Sequence, residues 1–149
     1  MGVFFNDAPA KTKVPLGMEV AQDGKGYMYA KAHSTLTVNT AYFISWDEYG
    51  PITMSLTDVD IYTYIGVADE AVTAGNTARL QVMGYRASLT TPSLSTSAGH
   101  ALGIAGGEIV DDAADYSGLR GQFAVNVAAT TSATNHQVQL TGNLIHTST

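Results

Sequence analysis

Ile65-Gly66-Val67-Ala68-Asp69-Glu70-Ala71-Val72-Thr73-Ala74-Gly75-Asn76-Thr77-Ala78-Arg79-Leu80-Gln81-Val82-Met83-Gly84 decides the fold class of this chain. An extended run ending in Gly66-Val67-Ala68 meets a short polar turn that Ala74-Gly75 closes, and a second strand then alternates up to Gly84. Leu80, Val82 and, past the glycine, Arg86 and Ser88 recur at period two, the spacing that places successive side chains on one sheet face. Gly75 is expected to need φ > 0, and Gly84 to mark a bulge or a close approach of another chain segment. The stretch sets no nucleophile beside a base and gathers no ligand cluster. Its content is architectural.

The same period extends in both directions. Leu16, Met18 and Val20 alternate with Gly17 and Glu19, and Asp23-Gly24-Lys25-Gly26 supplies a tight turn into Tyr27-Met28-Tyr29-Ala30-Lys31-Ala32. Thr35 to Val38, Ala41 to Trp46, Ile52 to Thr57 and Ile61 to Ile65 read as further strands, with Asp47-Glu48-Tyr49-Gly50-Pro51 as a break. Ser88 to Gly99 reads as a long Thr/Ser/Pro connection. Strands are expected again over His100 to Ala105, Glu108 to Val110, Gln122 to Val127 and Gln137 to Thr141, with a Gly106-Gly107 turn between the first two. Only Asp69 to Ala74 and Asp111 to Tyr116 have room for a helical turn. Short strands at spacings of about 8–12 residues predict an all-β single-domain barrel or sandwich. The expected division is 1–20, an N-terminal arm and first strand, and 21–149, the β-rich domain. In the arm, Pro9 and Pro15 bracket Lys11 and Lys13 and hold the backbone extended.

Composition narrows the function classes. Of 149 residues, 45% are hydrophobic and only 13% charged, about half the share of roughly 25% usual in globular domains. Ser, Thr, Asn, Gly and Ala stand where charge would normally be. A sheet protein with such a surface tends to associate unless partners cover it, which favours an assembly component over a freely diffusing enzyme. The net charge is −6, and every lysine (Lys11, Lys13, Lys25, Lys31) lies early, with only Arg79, Arg86 and Arg120 beyond. An acidic body without an arginine cluster repels a phosphate backbone, so no nucleic-acid partner is expected. The absence of cysteine removes disulfides and thiolate chemistry. Met1-Gly2-Val3-Phe4-Phe5 does not resemble a signal peptide, and no apolar run reaches the roughly 18 residues of a membrane span. Synthesis in the cytoplasm, with no membrane partner, is the expectation.

Candidate chemistry is sparse. His33, His100, His136 and His146 lack the spacing of a zinc site and are expected as isolated or hydrogen-bonded side chains. The acidic groups Asp58-Val59-Asp60, Asp69-Glu70 and Asp111-Asp112 with Asp115 lack the order of a calcium loop. Asp58 and Asp60 share a strand face and would suit a glycosidase pair, but a solvated edge explains them as well. No Gly-x-Ser-x-Gly elbow occurs, and Gly103-Ile104-Ala105-Gly106-Gly107 lacks the lysine of a phosphate loop. No catalytic residue, metal or cofactor is expected. Tyr27, Tyr29, Tyr42, Phe43, Trp46, Tyr49, Tyr62 and Tyr64 gather in the first half, either as half-buried sheet and interface residues or as a platform for sugars.

Two short motifs carry a family resemblance. Gly66-Val67-Ala68, the following turn, Ala74-Gly75 and the Leu80-x-Val82-x-Gly84 strand, together with Ser97-Ala98-Gly99-His100-Ala101-Leu102, resemble a pattern of small β-rich decoration (cement, or head-stabilising) proteins of tailed bacteriophages. The resemblance spans roughly Gly24 to Val127; the acidic run at Asp111 to Asp115 and the Thr/Ser-rich tail depart from it. It implies a non-enzymatic virion protein on the capsid surface, a homotrimer bound to the major capsid protein. It also implies an arm, with Phe4, Phe5, Lys11 and Lys13, for capsid attachment, and structural glycines at Gly66, Gly75, Gly84 and Gly99. A β-sandwich glycan-binding module or tail/fibre component using the Tyr/Trp surface is the alternative, and a hydrolase built on Asp58 and Asp60 a third.

Overall fold

The computed structural model describes residues 18–20, 23–57, 61–111, 120–142 and 145–147. The strands are Met18–Val20 (β1), Gly26–Lys31 (β2), Ala41–Asp47 (β3), Gly50–Met54 (β4), Ile61–Ala68 (β5), Thr77–Thr96 (β6), Ala101–Ala105 (β7), Glu108–Asp111 (β8), Arg120–Asn126 (β9), Thr130–Thr141 (β10) and Ile145–Thr147 (β11). No helix occurs among the described residues. The fold is all-β, as the alternation predicts.

Five strands close a barrel. β2 pairs with β4, β4 with β3, β3 with β5, β5 with β6, and β6 returns to β2. Every contact in this ring is antiparallel except β2–β4, whose single register pair is Lys31 with Ile52. So few strands enclose a narrow lumen, which only small side chains and a few branched ones can fill. Ala30, Ala68 and Ala78 do so beside Met28, Ile44, Leu80 and Val82. Gly66 faces the same space: a Cβ there would lie 2.7 Å from the Leu80 Cβ and 2.9 Å from the Ile44 Cδ1.

The second sheet grows from the far half of β6. Thr77 to Met83 pairs with β2, and from Met83 onward β6 pairs with β10. β9, β7 and β8 follow in that order. Gly84 stands at the transition with φ +94°, and a Cβ there would be 3.0 Å from both the Gly24 carbonyl oxygen and the Lys25 Cα. The β1–β2 turn therefore passes directly over it. The phase of Ala78, Leu80 and Val82 persists through Arg86 and shifts to Leu89 and Thr91 only after it, where the register against β10 slips, so the strand changes the face it buries. The inner side of the second sheet (Leu89, Leu102, Ile104, Phe123, Val138, Leu140) packs with Phe43, Ile65 and Val67 from the outer face of the barrel.

Several expected boundaries move. Ser88 to Thr96 is strand, where a connection is expected: Leu89 and Thr91 are buried between exposed neighbours. Pro92 falls where the β10 register skips from Leu94 to Thr90, at an irregularity that demands no donor. Thr35 to Val38 holds a single bridging pair, Leu36 with Val72. Within Asp47 to Pro51 only Glu48-Tyr49 is a turn, a two-residue hairpin closed by the Asp47–Gly50 pair, and the Tyr49 N–H donates to Asp47 Oδ1 at 2.7 Å. Asp69 to Ala74 has no helical turn, and Asp111 belongs to β8. β10 begins at Thr130, seven residues ahead of Gln137, and β11, which pairs with β5, is an addition.

These contacts rank three substitutions. Gly66→Ala overpacks the lumen, which costs about 1–3 kcal/mol. Gly84→Ala combines a left-handed φ with backbone crowding, and is expected to cost at least as much. Gly75 has φ +87° in open space, so Gly75→Ala carries the backbone penalty alone, about 1 kcal/mol. Thermal unfolding should order the melting temperatures accordingly, with Gly75→Ala nearest the parent.

Candidate functional site

The best-defined polar constellation lies where β6 leaves the barrel. Asp69 follows β5 directly, Arg79 and Arg86 project from β6, and Asn39 lies in the turn ahead of β3. Asn39 takes φ +62°. Its N–H donates to the Ala68 carbonyl at 2.9 Å, and its carbonyl accepts the Thr90 N–H at 2.8 Å. Those bonds place the Asn39 side chain over the β5–β6 junction.

Arg86 spends every donor it has. Nε donates to the Ser88 carbonyl at 2.9 Å; Nη1 reaches Asp69 Oδ1 at 2.8 Å and Gln81 Oε1 at 3.2 Å; Nη2 reaches Asn39 Oδ1 at 2.8 Å and the Ala68 carbonyl at 3.0 Å. A guanidinium has five N–H groups, so this buried charge is fully satisfied and ties three chain segments together. Gln81 continues the network by donating to the Met83 and Tyr85 carbonyls at 3.1 and 2.8 Å. Asp69 Oδ2 accepts from Arg79 at 2.8 Å (Nε) and 2.6 Å (Nη2). Partial burial disfavours the Arg79 charge, but hydrogen bonding and attraction to Asp69 outweigh it and hold its pKa above the usual arginine value. Arg79 also lies 4.2 Å over the Tyr27 ring.

Two concavities flank Arg79. One of about 410 Å³ is bordered by Lys25, Tyr27, Gln81, Tyr85 and Arg86. The other, about 400 Å³, is bordered by Tyr29, Glu70 and Thr77. Their walls offer hydrogen bonds. Asp69 is occupied by two arginines, so it is positioned neither to bind a metal nor to move a proton. Among the described residues no three His, Asp or Glu side chains converge.

The other expected sites disperse. His100 Nδ1 lies 2.9 Å from Asp111 Oδ2. His136 is buried against Thr130 Oγ1 and the Ala133 carbonyl, while His33 is exposed. The aromatic residues divide among several roles. Phe43 is core, and Tyr27 is buried beneath Arg79. Trp46 (50% exposed) meets Tyr64 edge-on at 6.2 Å, and Tyr49 (79% exposed) caps the β3–β4 turn. Gly99 has φ +85° in the turn before β7, and its N–H donates to the Asn126 carbonyl at 2.8 Å. Phe4, Phe5, Lys11, Lys13, Asp58, Asp60, Asp112 and Asp115 lie outside the described residues, as does the His146 side chain. Sequence reasoning missed the roles of Asn39 and Gln81. The available signal was Arg86 itself, a charge in phase with Leu80 and Val82, which burial obliges to have partners.

No protein-family model matches the chain, and no curated protein matches it. Among solved structures it is similar to the N base of head fiber gp8.5 of bacteriophage phi29, with a TM-score of 0.50 and 14% identity. The match covers 79% of this chain and 95% of that one. At this identity the likeness is one of fold.

The network predicts unequal costs. Arg86→Met strands the part-buried Asp69 and Asn39 acceptors and the buried Ala68 carbonyl and should lose about 2–4 kcal/mol. Arg86→Lys should lose nearly as much, because an ammonium cannot span the same acceptors. Arg79→Met, at a side chain 45% exposed, should lose about 1 kcal/mol or less. Urea unfolding midpoints of the three variants check the order.

Proposed function

We propose that this protein is a non-enzymatic structural component of a phage virion, a decoration protein that binds the outside of a capsid lattice and stabilises it. The observation that carries the reading is the fold likeness to a phage head fiber base across 79% of the chain, joined to the decoration-protein resemblance of the Gly66 to Gly84 and Ser97 to Leu102 motifs. Low charge and polar groups spent on one another, as around Arg86, fit a role in which contact area does the work. A protein that binds only the assembled lattice stabilises it by mass action. In this reading the major capsid protein is the partner, the homotrimer is the working unit, and the arm with Phe4, Phe5, Lys11 and Lys13 is the attachment element.

Trp46 and Tyr49, exposed at one hairpin, favour glycan binding by a fibre-like component as the second reading. The chain has one tryptophan, so its fluorescence reports on that hairpin directly.

Added to heads that lack it, the protein should raise their disruption temperature saturably and without metal. A version lacking Met1 to Lys13 should remain a folded β protein yet decorate poorly. Unchanged decoration by the truncated protein rules out the arm as the attachment element. Saturable quenching of Trp46 by an oligosaccharide, with no binding to heads, would replace the capsid reading with the glycan one.

A further inference from the structure

The larger concavity beside Arg79 is a positive patch on a negative chain. Lys25, Arg79 and Arg86 line it against one carboxylate, Asp69, whereas the whole chain carries 7 Lys and Arg against 13 Asp and Glu. Two further carboxylates stand exposed near its edge: Asp23 lies 3.6 Å from Lys25, and Glu70 borders the neighbouring concavity. Inside, the strong acceptors are already spent. Asp69 serves both arginines, and Gln81 Oε1 and Asn39 Oδ1 each accept from Arg86. The donors are not. Of the five N–H groups of Arg79, Asp69 takes two and Tyr29 one, which leaves two without an acceptor among the described residues. The Arg79 side chain is 45% exposed, yet Asp69 and the Tyr27 ring, 4.2 Å from its guanidinium carbon, hold it from two sides. Lys25 adds an ammonium to the same wall, and Asn39 its amide N–H groups.

We infer that this concavity, about 410 Å³ in volume, binds a carboxylate, and that the carboxylate belongs to an acidic side chain of a partner protein. The planar fork of an arginine matches a carboxylate, and a guanidinium that is already oriented loses little freedom on binding. Arg79 is thus aimed before its ligand arrives. The spent acceptors decide between sources of the carboxylate. The polar atoms of an ionised Glu or Asp side chain are acceptors only, so the unspent donors suit them. A saccharide brings hydroxyl donors as well, and the wall has no carboxylate or amide oxygen left to receive them. The inference is independent of the capsid reading, because the ligand chemistry is tested on the isolated protein. On that reading it adds a second contact beside the arm.

The test is a titration of the isotope-labelled full chain followed by NMR. A capped hexapeptide with two central glutamates should shift the Arg79 Nε–H signal and the Ala87 and Ser88 amides saturably, with an affinity that falls as salt is raised. The same peptide with two glutamines should not bind. Arg79→Met should weaken binding about tenfold or more, and Lys25→Gln about threefold, through lost charge-assisted contacts. Arg120→Gln, which removes the same charge from β9, should leave binding unchanged. The inference is overturned if the glutamate peptide gives no saturable shift at millimolar concentration, or if the glutamine peptide binds equally. Shifts that map away from the concavity, or an Arg79→Met protein that binds as the parent does, overturn it too. Glucuronate binding as tightly as the glutamate peptide would assign the site to an acidic saccharide and overturn the protein partner.

Discussion

β6 is one continuous strand of twenty residues that serves two sheets, and the rest of the molecule depends on how it bends. Its first part must present Ala78, Leu80 and Val82 to a lumen with little room, and its second must present Leu89 to a different core. A regular strand cannot do both, because period two would keep the same residues facing one side throughout. The face changes between Arg86 and Leu89, where β6 spends three residues against two of β10, and Gly84 leads into that step with a backbone conformation that L side chains rarely adopt, under a closely packed turn. Just beyond the bend Arg86 is buried on the old phase, and its five donors fasten the bend to the β5 end and to the Asn39 turn. Glycine permits the bend, and the guanidinium holds it in place.

This division explains which parts of the fold the sequence reveals. Ala41 to Trp46 and Ile52 to Met54 are rich in β-branched and aromatic residues and appear as strands where expected, with Phe43 and Ile44 buried on opposite faces of β3. Ser88 to Thr96 and Thr130 to Asn135 pair with each other and are opaque, because Thr, Ser and Pro occupy both faces and hydropathy contrast disappears. The outer face is uncharged, so nothing marks it as outer. Thr35 to Val38 misleads in the opposite way: it alternates, yet Asn39 turns the chain into left-handed geometry immediately after it, leaving only Leu36 in a bridging pair. Barrel closure is also hidden, since it rests on the pairing of β2 with β6 and with β4, partners distant in sequence.

The polar groups follow a similar logic. Asp69, Glu70, Arg79 and Arg86 look from the sequence like scattered surface charge. Folding draws Asp69 between two arginines and consumes both of its oxygens. A buried ion pair is costly to desolvate and adds little net stability, so its value here lies in discriminating against other registers: only one alignment of β5, β6 and the Asn39 turn satisfies all five Arg86 donors. A one-residue slip of β6 would aim Arg86 away from its acceptors and Gly84 away from the overlying turn. The two devices therefore specify the same register independently.

The molecule is consequently asymmetric in its surface chemistry. The barrel side bears the Asp69 network, the Arg79 concavities and the exposed Trp46 and Tyr49. The outer face of β6, β10, β9 and β7 presents Gln, Thr, Val, Ala and one Tyr, with the charge of Glu108 at the β8 edge. A monomer in solution gains nothing from such a division, because charge on every face would serve its solubility better. In the assembly role proposed above, such a division leaves one side polar and distinctive and the other neutral. That arrangement needs no catalytic group, and it accounts for a composition in which hydroxyl and amide side chains replace charge without enlarging the core.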